Sequence, residues 1–402
     1  MIITNNLLSF ASVMKSIGGV ILAIVILLAM VTIHEFGHYV AGKILRFKIN
    51  EFSVGFGPAI LKKRSKKTGE LFALRVVPLG GYCAFDGEDE YEEESQETPP
   101  FEELQTEEKT EKDGGVSETK AEESEEYPTP QGERFNDQAP WKRIIVLIAG
   151  AMMNYLLALL IIICMFAFIG RPVYKVQEEY PESAENVEVV DSALNTGDVI
   201  LKIDGKNTYL ITDYVDILNG KKAGDTVAVT VIRAGKTQTV QMTLQKDASF
   251  VNMSDTQTLL KSMGIYGLYT VQTRQGFGAT LGHSFMYSFK IGGSILRSLG
   301  ELLTGKMGLE AMGGPVTTIK VTSEAASSSL LSFLNIAAFI GVNLAVFNLL
   351  PIPALDGCKV IFCIIEWIRK KPVNRKVETM IHFIGIIFLF GFAILVDILQ
   401  FF

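Results

Sequence analysis

The chain has 402 residues, of which 48% are apolar and 20% charged, with four cysteines and a net charge of −7. The acidic residues are concentrated between positions 88 and 134, where 19 acidic side chains face 4 basic ones, so the rest of the chain is mildly basic. This composition indicates a membrane protein with an acidic insert, and it argues against a set of soluble domains, a disulfide framework or nucleic-acid binding.

Four apolar blocks are long enough to cross a bilayer, since a spanning helix needs about 20 residues. The first block is predicted to be a retained span, because it is long, follows little basic sequence and lacks a small-residue cleavage site. Lysine and arginine residues follow the first block, precede the second and separate the third from the fourth, which predicts that both of these loops are cytoplasmic. The blocks lie at roughly 17–41, 144–169, 331–350 and 380–402.

The first span ends in an HExxH motif, His34-Glu35-Phe36-Gly37-His38. Residues four apart share one face of a helix, so both imidazoles can bind one Zn²⁺ ion while Glu35 accepts a proton from a water on the metal. Ionisable residues inside a span are costly and usually functional, so a pair of histidines that merely packs helices is the weaker interpretation. The motif predicts a zinc hydrolase.

Two segments follow the first span. Residues 52–58 and 71–77 are β-prone runs separated by a basic, glycine-containing turn, and they predict a hairpin near the membrane surface. Residues 88–134 are rich in Glu, Thr, Ser and Pro and carry few large apolar side chains, so we expect a disordered tract. A solvated linker is the preferred interpretation of this tract, and a partner for it stays unknown.

The long segment between the second and third spans is predicted to hold a small soluble domain and an interfacial helix. Strands are expected at 198–203, 227–233 and 238–244, with a helix near 212–219. Residues 281–303 are apolar but carry His283, Lys290 and Arg297 among many glycines and serines, which favours an amphipathic helix lying at the membrane surface over a fifth span.

The third span ends in Asn348-Leu349-Leu350-Pro351-Ile352-Pro353-Ala354-Leu355-Asp356-Gly357. A catalytic zinc usually has three protein ligands and one open position. Irregular backbone at membrane depth is tolerated only inside protein or beside a water-filled cavity, so Asp356 is predicted to be the third ligand. The alternative is that Asp356 caps the helix that begins near Gly357. His283 and His382 lack a metal-like partner at helical spacing and are expected to be interfacial or packing residues.

Taken together, these motifs resemble the site-2 protease family of intramembrane metalloproteases, in its bacterial branch. HEFGH and NLLPIPALDG are the most specific part of the likeness, and Gly150-Ala151-Met152-Met153-Asn154 resembles the family's GxxxN motif. Gly80-Gly81-Tyr82 and Gly313-Gly314-Pro315 fall in the expected order. The resemblance covers the chain apart from the acidic insert. Cys358-Lys359 departs from the common Gly followed by His or Arg, which leaves the three ligands intact.

The resemblance implies a role for each site residue. His34, His38 and Asp356 would bind Zn²⁺, with Glu35 as the general base and acid. Asn348 and Asn154 would lie near the site and stabilise the oxyanion or hold the substrate. The hairpin around Gly55-Phe56-Gly57 would add a strand to an unwound substrate helix.

Segment 172–247 resembles a PDZ domain through the run Gly197-Asp198-Val199-Ile200-Leu201-Lys202-Ile203-Asp204-Gly205. The family uses such domains outside the membrane to limit which substrates reach the site. The sequence before Gly197 departs from the usual PDZ pattern, which weakens the expectation that the domain captures a peptide C-terminus.

The expected fold is a polytopic α-helical membrane protein with four transmembrane helices, a membrane-associated β-hairpin and an inserted extracytoplasmic PDZ-like α/β domain. The N-terminus and C-terminus are expected outside the plasma membrane of a bacterial cell, and the insert inside. The predicted divisions are 1–87 (first span and hairpin), 88–134 (insert), 135–171 (second span), 172–247 (PDZ-like domain), 248–330 (linker with amphipathic helix) and 331–402 (third and fourth spans).

The predicted function is zinc-dependent hydrolysis of peptide bonds within the transmembrane segments of single-span membrane proteins. The family suggests anti-sigma factors or remnant signal peptides as substrates, and the lipid bilayer as the surrounding partner. Two alternatives are a metal transporter, which would need further polar residues across the bilayer, and a catalytically silent adaptor, which the intact HExxH motif and Asp356 argue against.

Overall fold

A computed structural model of the protein describes residues 2–88, 127–177, 193–252 and 255–401. Within these ranges, four helices are long and apolar enough to cross a membrane, and they confirm the four predicted spans. Their spanning parts are Ser16–Ile44, Pro140–Phe168, Leu330–Asn348 and Arg375–Gln400. The helices that contain them are α1 (Ile2–Ile44), α2 (Pro140–Phe168), α7 (Leu330–Asn348) and α9 (Arg375–Phe401).

Helices α1, α2 and α7 pack side by side and bury small residues between them. A Cβ atom on Gly37 of α1 would lie 2.4 Å from the carbonyl oxygen of Ala149 on α2, and one on Gly341 of α7 would lie 2.9 Å from the Cβ of Ala158. Helix association in a bilayer depends on such close approach, because lipid is as apolar as the side chains themselves. Large apolar side chains such as Leu160 and Phe390 are exposed on the outside of the bundle, which is favourable where the surrounding solvent is lipid.

Strands β1 (Ile49–Arg64) and β2 (Leu71–Phe85) form a hairpin sheet against the end of α1. Each strand bends near its middle, at Gly55–Gly57 in β1 and at Gly80 in β2, where positive φ angles of 88°, 83° and 118° favour glycine. As a result, residues 49–54 pair with 81–85 on one side and with 71–74 on the other, while 56–64 pairs with 71–77. The predicted hairpin is confirmed, and its strands are longer than expected.

The prediction of disorder for 88–134 is wrong at both ends of this tract. Glu133 pairs with the chain at Phe47, and its carbonyl accepts a hydrogen bond of 2.9 Å from the Lys48 amide. Immediately after it, Phe135 is buried against Phe47, with ring centroids 5.4 Å apart. At the other end, Glu88 forms an ion pair of 2.6 Å with Lys359. Residues 89–126 lie outside the described residues.

The segment after α2 folds into a sheet domain. Its elements are β3 (Arg171–Val176), β4 (Val199–Ile203), β5 (Lys206–Asn207), α3 (Ile211–Leu218), β6 (Thr226–Arg233), β7 (Lys236–Thr243), α4 (Thr256–Met263) and β8 (Leu268–Thr273). The strand order is β7-β6-β4-β3-β8, β5 pairs with β4, and every pairing is antiparallel. The predicted strands and helix are confirmed at β4, β6, β7 and α3. The sheet runs past residue 247, because α4 and β8 complete the same core.

Three further helices complete the described chain: α5 (Phe277–Leu303), α6 (Pro315–Ser328) and α8 (Asp356–Arg369). Helix α5 confirms that the segment predicted to be amphipathic is helical, while its position at the membrane surface stays a prediction. Its polar side contacts the sheet domain through an ion pair of 2.7 Å between Lys290 and Asp213, while apolar side chains such as Phe289 are exposed. Helix α6 packs against the N-terminal half of α1, near Gly19. Helix α8 follows the irregular loop at the end of α7.

Candidate metal centre

Two of the three predicted ligands lie on one unbroken helix. His34 and His38 are one turn apart on α1, which runs without interruption to Ile44, and their ring centroids are 4.8 Å apart with the planes nearly perpendicular. Both side chains are buried, at 9% and 7% exposure. The helix therefore presents both imidazoles to the same point in the bundle interior.

The third predicted ligand arrives through the loop between α7 and α8. Helix α7 ends at Asn348, Pro351 and Pro353 interrupt the helical pattern, and Asp356 is the first residue of α8. Ala354 has a φ of +79°, a left-handed conformation that costs a non-glycine residue about 1–2 kcal/mol. Leu355 occupies the N-cap position of α8, and Asp356 lies inside the first turn. Asp356 is therefore not the residue that caps this helix.

The three side chains converge on one point. His34 Nε2 lies 3.0 Å from Asp356 Oδ2, His38 Nε2 lies 3.4 Å from the same oxygen, and the two Nε2 atoms are 3.2 Å apart. Ligands held about 2.0–2.1 Å from a tetrahedral zinc ion stand roughly 3.3 Å from one another. The donor atoms and their spacing thus fit zinc, and three protein ligands leave a fourth position open for a water or substrate atom.

Neighbouring groups orient the two imidazoles for metal binding. His38 Nδ1 donates a hydrogen bond of 2.8 Å to the Val146 carbonyl oxygen on α2, which leaves the Nε2 lone pair facing the centre. The side-chain amide of Asn154 lies 3.4 Å from His34 Nδ1, and its oxygen has no hydrogen-bond partner among the described residues. A half-turn of that amide would let the oxygen accept a hydrogen bond from the Nδ1–H group and fix the same tautomer in His34.

Space for the imidazoles comes from a glycine. A Cβ atom on Gly150 would lie 2.4 Å from His38 Nε2 and 2.8 Å from His34 Cε1. Together with Asn154 one turn later, Gly150 explains the GxxxN motif of α2 in physical terms: one residue makes room for the ligands and the other contacts one of them. The sequence pointed to this pair, whereas the Val146 carbonyl carried no sequence signal.

The remaining predicted residues lie around this centre. Glu35 is half buried beside the hairpin sheet, where a Cβ atom on Gly81 would be 3.1 Å from Glu35 Cγ. Phe56, between Gly55 and Gly57, is 47% exposed and stacks on Tyr82 with centroids 6.5 Å apart. Asn348 ends α7 half buried, and in the described part of the chain it makes no hydrogen bond to the three ligands.

Comparison with known proteins places these features in a wider group. A sequence model of the family described as Peptidase family M50 matches residues 22–392. Zinc metalloprotease RasP of Bacillus licheniformis is 27% identical, covering 92% of this chain and 95% of the relative. Regulator of sigma-W protease RasP of Bacillus subtilis is 28% identical, covering 93% and 96%. Putative zinc metalloprotease CPE1693 of Clostridium perfringens is 29% identical, covering 94% and 97%.

Proposed function

The chain belongs to peptidase family M50 and is a multi-pass membrane zinc metalloprotease, and we propose which of its residues perform the reaction. Three side chains hold the zinc ion: His34, His38 and Asp356. Glu35, beside them on α1, acts as the general base and acid. The observation that carries this assignment is the triangle of 3.0, 3.2 and 3.4 Å between the two imidazole nitrogens and the carboxylate oxygen.

The proposed reaction is hydrolysis of a peptide bond within a transmembrane segment. A zinc ion held by His34, His38 and Asp356 would supply a Lewis acid for the scissile carbonyl and would lower the pKa of a water molecule at the site toward about 7. Glu35 would accept a proton from the attacking water and later return it to the leaving amine. The Val146 carbonyl holds His38 in the tautomer this requires, and Asn154 does the same for His34 or contacts the substrate.

The hairpin sheet is proposed to hold the substrate. A helical peptide hides its carbonyl groups in its own hydrogen bonds, so the scissile segment must unwind before attack. An unwound segment can pair with the edge of a sheet, and the stretch of β2 that begins at Gly80-Gly81 runs beside Glu35. Gly55, Phe56 and Gly57 form the bend opposite it, and Asn348 at the end of α7 is proposed to contact the substrate or the oxyanion.

Orientation and substrates complete the proposal. Basic residues gather at one end of the bundle, where Arg143 and Arg375 both approach Glu366, and this end is proposed to be cytoplasmic. The sheet domain, proposed to be PDZ-like, and both termini then lie outside. Single-span membrane proteins are the proposed substrates, among them anti-sigma factors and remnant signal peptides. Reporter fusions after residues 88 and 247 test this orientation, since opposite compartments are expected for the two.

A direct test measures zinc content and cleavage of a model transmembrane substrate by the purified protein. Glu35→Gln is expected to keep zinc and lose cleavage, because it removes the proton acceptor and leaves the ligands. The double variant His34→Ala His38→Ala is expected to lose both. His283→Ala, which removes a histidine outside the centre, serves as the control. Normal cleavage by Glu35→Gln, or full zinc content in the double variant, would contradict the assignment.

A metal transporter is the competing function, because intramembrane His and Asp also line ion paths. Such a path needs polar side chains through the bilayer. The described parts of α2 and α9 instead carry long apolar stretches, and the polar groups gather at one point beside α1. The family match favours the protease.

A further inference from the structure

The loop that carries Asp356 depends on the fourth spanning helix for one backbone hydrogen bond. The amides of Leu349, Leu350, Ile352 and Leu355 donate within the loop or back to α7. Pro351 and Pro353 have no N–H group. The remaining loop amide, that of Ala354, donates to Nδ1 of His382 on α9 at 3.1 Å. This hydrogen bond is partly buried, and its acceptor is a side chain 28 positions away. A backbone amide withdrawn from water needs such a partner.

Ala354 is also the loop residue with a left-handed backbone, at φ +79°. Such a conformation persists only when the surroundings hold it in place. It stands two residues before Asp356, so a change of its dihedral angles would swing the start of α8 and move the carboxylate. The hydrogen bond from Ala354 to His382 therefore stabilises the loop residue whose backbone conformation is the least favourable.

Helix α9 contacts the same loop a second time. Gly385 lies one turn beyond His382, and a Cβ atom there would be 2.3 Å from Pro353 Cβ and 2.8 Å from the Pro353 carbonyl oxygen. On the α8 side, the Phe362 ring stands against the His382 ring with centroids 5.9 Å apart. His382 thus touches the loop before Asp356 and the helix after it.

We propose that His382 is a positioning residue for the metal centre: its Nδ1 atom fixes the Ala354 amide and thereby holds Asp356 in reach of the zinc ion. The role requires an acceptor at the Nδ1 position, with the ring proton on Nε2. His382 does not bind the metal or the substrate. The inference rests on the proposed role of Asp356 as a ligand.

A matched set of variants separates this role from simple packing. In His382→Asn the amide oxygen reaches about the place of Nδ1, so the hydrogen bond can survive. In His382→Gln the oxygen reaches toward the place of Nε2, and His382→Leu has no acceptor. Ile384→Ala, which shortens an exposed side chain on the same helix, is the control. Measurements are zinc affinity by chelator competition, the visible spectrum of the cobalt-substituted protein, and kcat and KM for a transmembrane substrate.

The Gln and Leu variants are expected to bind zinc about tenfold more weakly, at the low end of the roughly 10–100-fold losses seen when outer partners of metal ligands are removed. Their cobalt spectrum should change and their kcat should fall, while KM stays within about twofold because the substrate contacts are untouched. The Asn variant and Ile384→Ala are expected to resemble the parent in all four measurements.

Two results would overturn the inference. One is parental zinc affinity and spectrum in the Leu and Gln variants. The other is an equal loss in Asn, Gln and Leu together, which would show that the ring only fills space. Asp356→Asn distinguishes a deeper failure: if it binds zinc as tightly as the parent, the proposed metal site itself is wrong. If it loses zinc while the His382 variants do not, only the positioning role fails.

Discussion

Single glycines differ in what they do for this protein, and the difference can be read from the space around each. Gly150 lies against both imidazoles of the metal centre, with less than 3 Å between its missing Cβ and the ligand rings. Gly391 lies on a spanning helix too, but no described atom comes within 4 Å of the Cβ it would gain. The metal centre leaves no room for a side chain at position 150, whereas position 391 has room for one.

Gly150→Ala is therefore expected to displace His38 or His34 and to lower zinc affinity at least tenfold, the scale of effect seen when the groups that orient metal ligands are lost. Cleavage should fall with it. Gly391→Ala adds the same methyl group to a helix and should leave both unchanged. Zinc competition with a chelating dye and cleavage of a transmembrane substrate provide the measurements. Parental zinc affinity in Gly150→Ala would contradict the geometry of the centre.

At this scale the sequence predicted the residues whose chemistry is unusual for their place. Two histidines and a carboxylate inside apolar runs stand out, because a bilayer makes them costly. Among the groups that orient them, Asn154 was predicted through the GxxxN motif, but two others do not stand out. The Val146 carbonyl is a backbone group, and His382 gave no metal-like spacing. His382 meets the Ala354 amide only because α9 crosses the loop at that point, and the crossing depends on tertiary packing.

Among the elements, the spanning helices and the sheet-domain strands were predictable because their hydrophobic patterns are long and regular. The ordered stretch before α2 was not. Its composition is that of a disordered tract, yet Phe135 at its end joins Phe47 and Phe85 in a buried cluster. Gly132, at φ +140°, lets the chain pass within reach of the Phe47 backbone. The burial of one aromatic side chain, Phe135, orders residues whose composition alone predicts disorder.

Helix α6 shows how one element depends on another for its start. Its first amides, on Val316 and Thr317, donate to the carboxylate of Asp397 on α9 at 3.0 and 3.1 Å. The hydroxyl of Thr317 donates to the same group at 3.0 Å. Gly314 precedes the helix and offers no side-chain cap, and a Cβ there would be 2.5 Å from Asp397 Cγ. The cap of α6 is thus supplied by α9.

Asp397→Ala is expected to reduce the free energy of unfolding by about 0.5–2 kcal/mol, the usual cost of removing a helix cap. Asp397→Asn keeps one acceptor oxygen and should lose less. Equilibrium unfolding in mild detergent measures both. If the Ala variant is as stable as the parent, the contact between α6 and α9 is incidental.

On the scale of the whole molecule, the sheet domain is fixed to the membrane bundle through α5. Asp213 accepts hydrogen bonds from the amides of Tyr209 and Leu210 at the start of α3, and its second oxygen pairs with Lys290 of α5. Beside it, the Tyr209 hydroxyl donates to His283 Nδ1 at 2.7 Å. The domain boundary is therefore a polar contact, which neutral His283 helps to form.

This contact should weaken in acid. Burial, together with the positive charges of Arg171 and Lys202, holds the pKa of His283 below its ordinary value of 6.5. The undocked state takes up a proton as the pH falls through about 6.5, whereas the docked state resists it, so docking loses stability below that pH. Between pH 8 and pH 5, the protection factors of the α3 amides, which are exchange rates corrected for the intrinsic pH dependence of amide exchange, should fall in the parent.

His283→Gln keeps a side-chain acceptor and cannot titrate, so its protection factors should depend less on pH than those of the parent. The same pH dependence in both proteins would assign the effect to another group.

The described residues on either side of the acidic insert lie close together. The Phe135 amide donates to the Asp86 carbonyl at 2.8 Å, and the Glu133 amide donates to the Arg46 carbonyl at 3.0 Å, so both ends are tied to the same corner. When a loop is pinned this way, each doubling of its length costs only about 0.6 kcal/mol. That corner is a permissive insertion point, where an affinity tag or fluorescent label can replace part of 89–126, as a cleavage assay on the tagged chain would check.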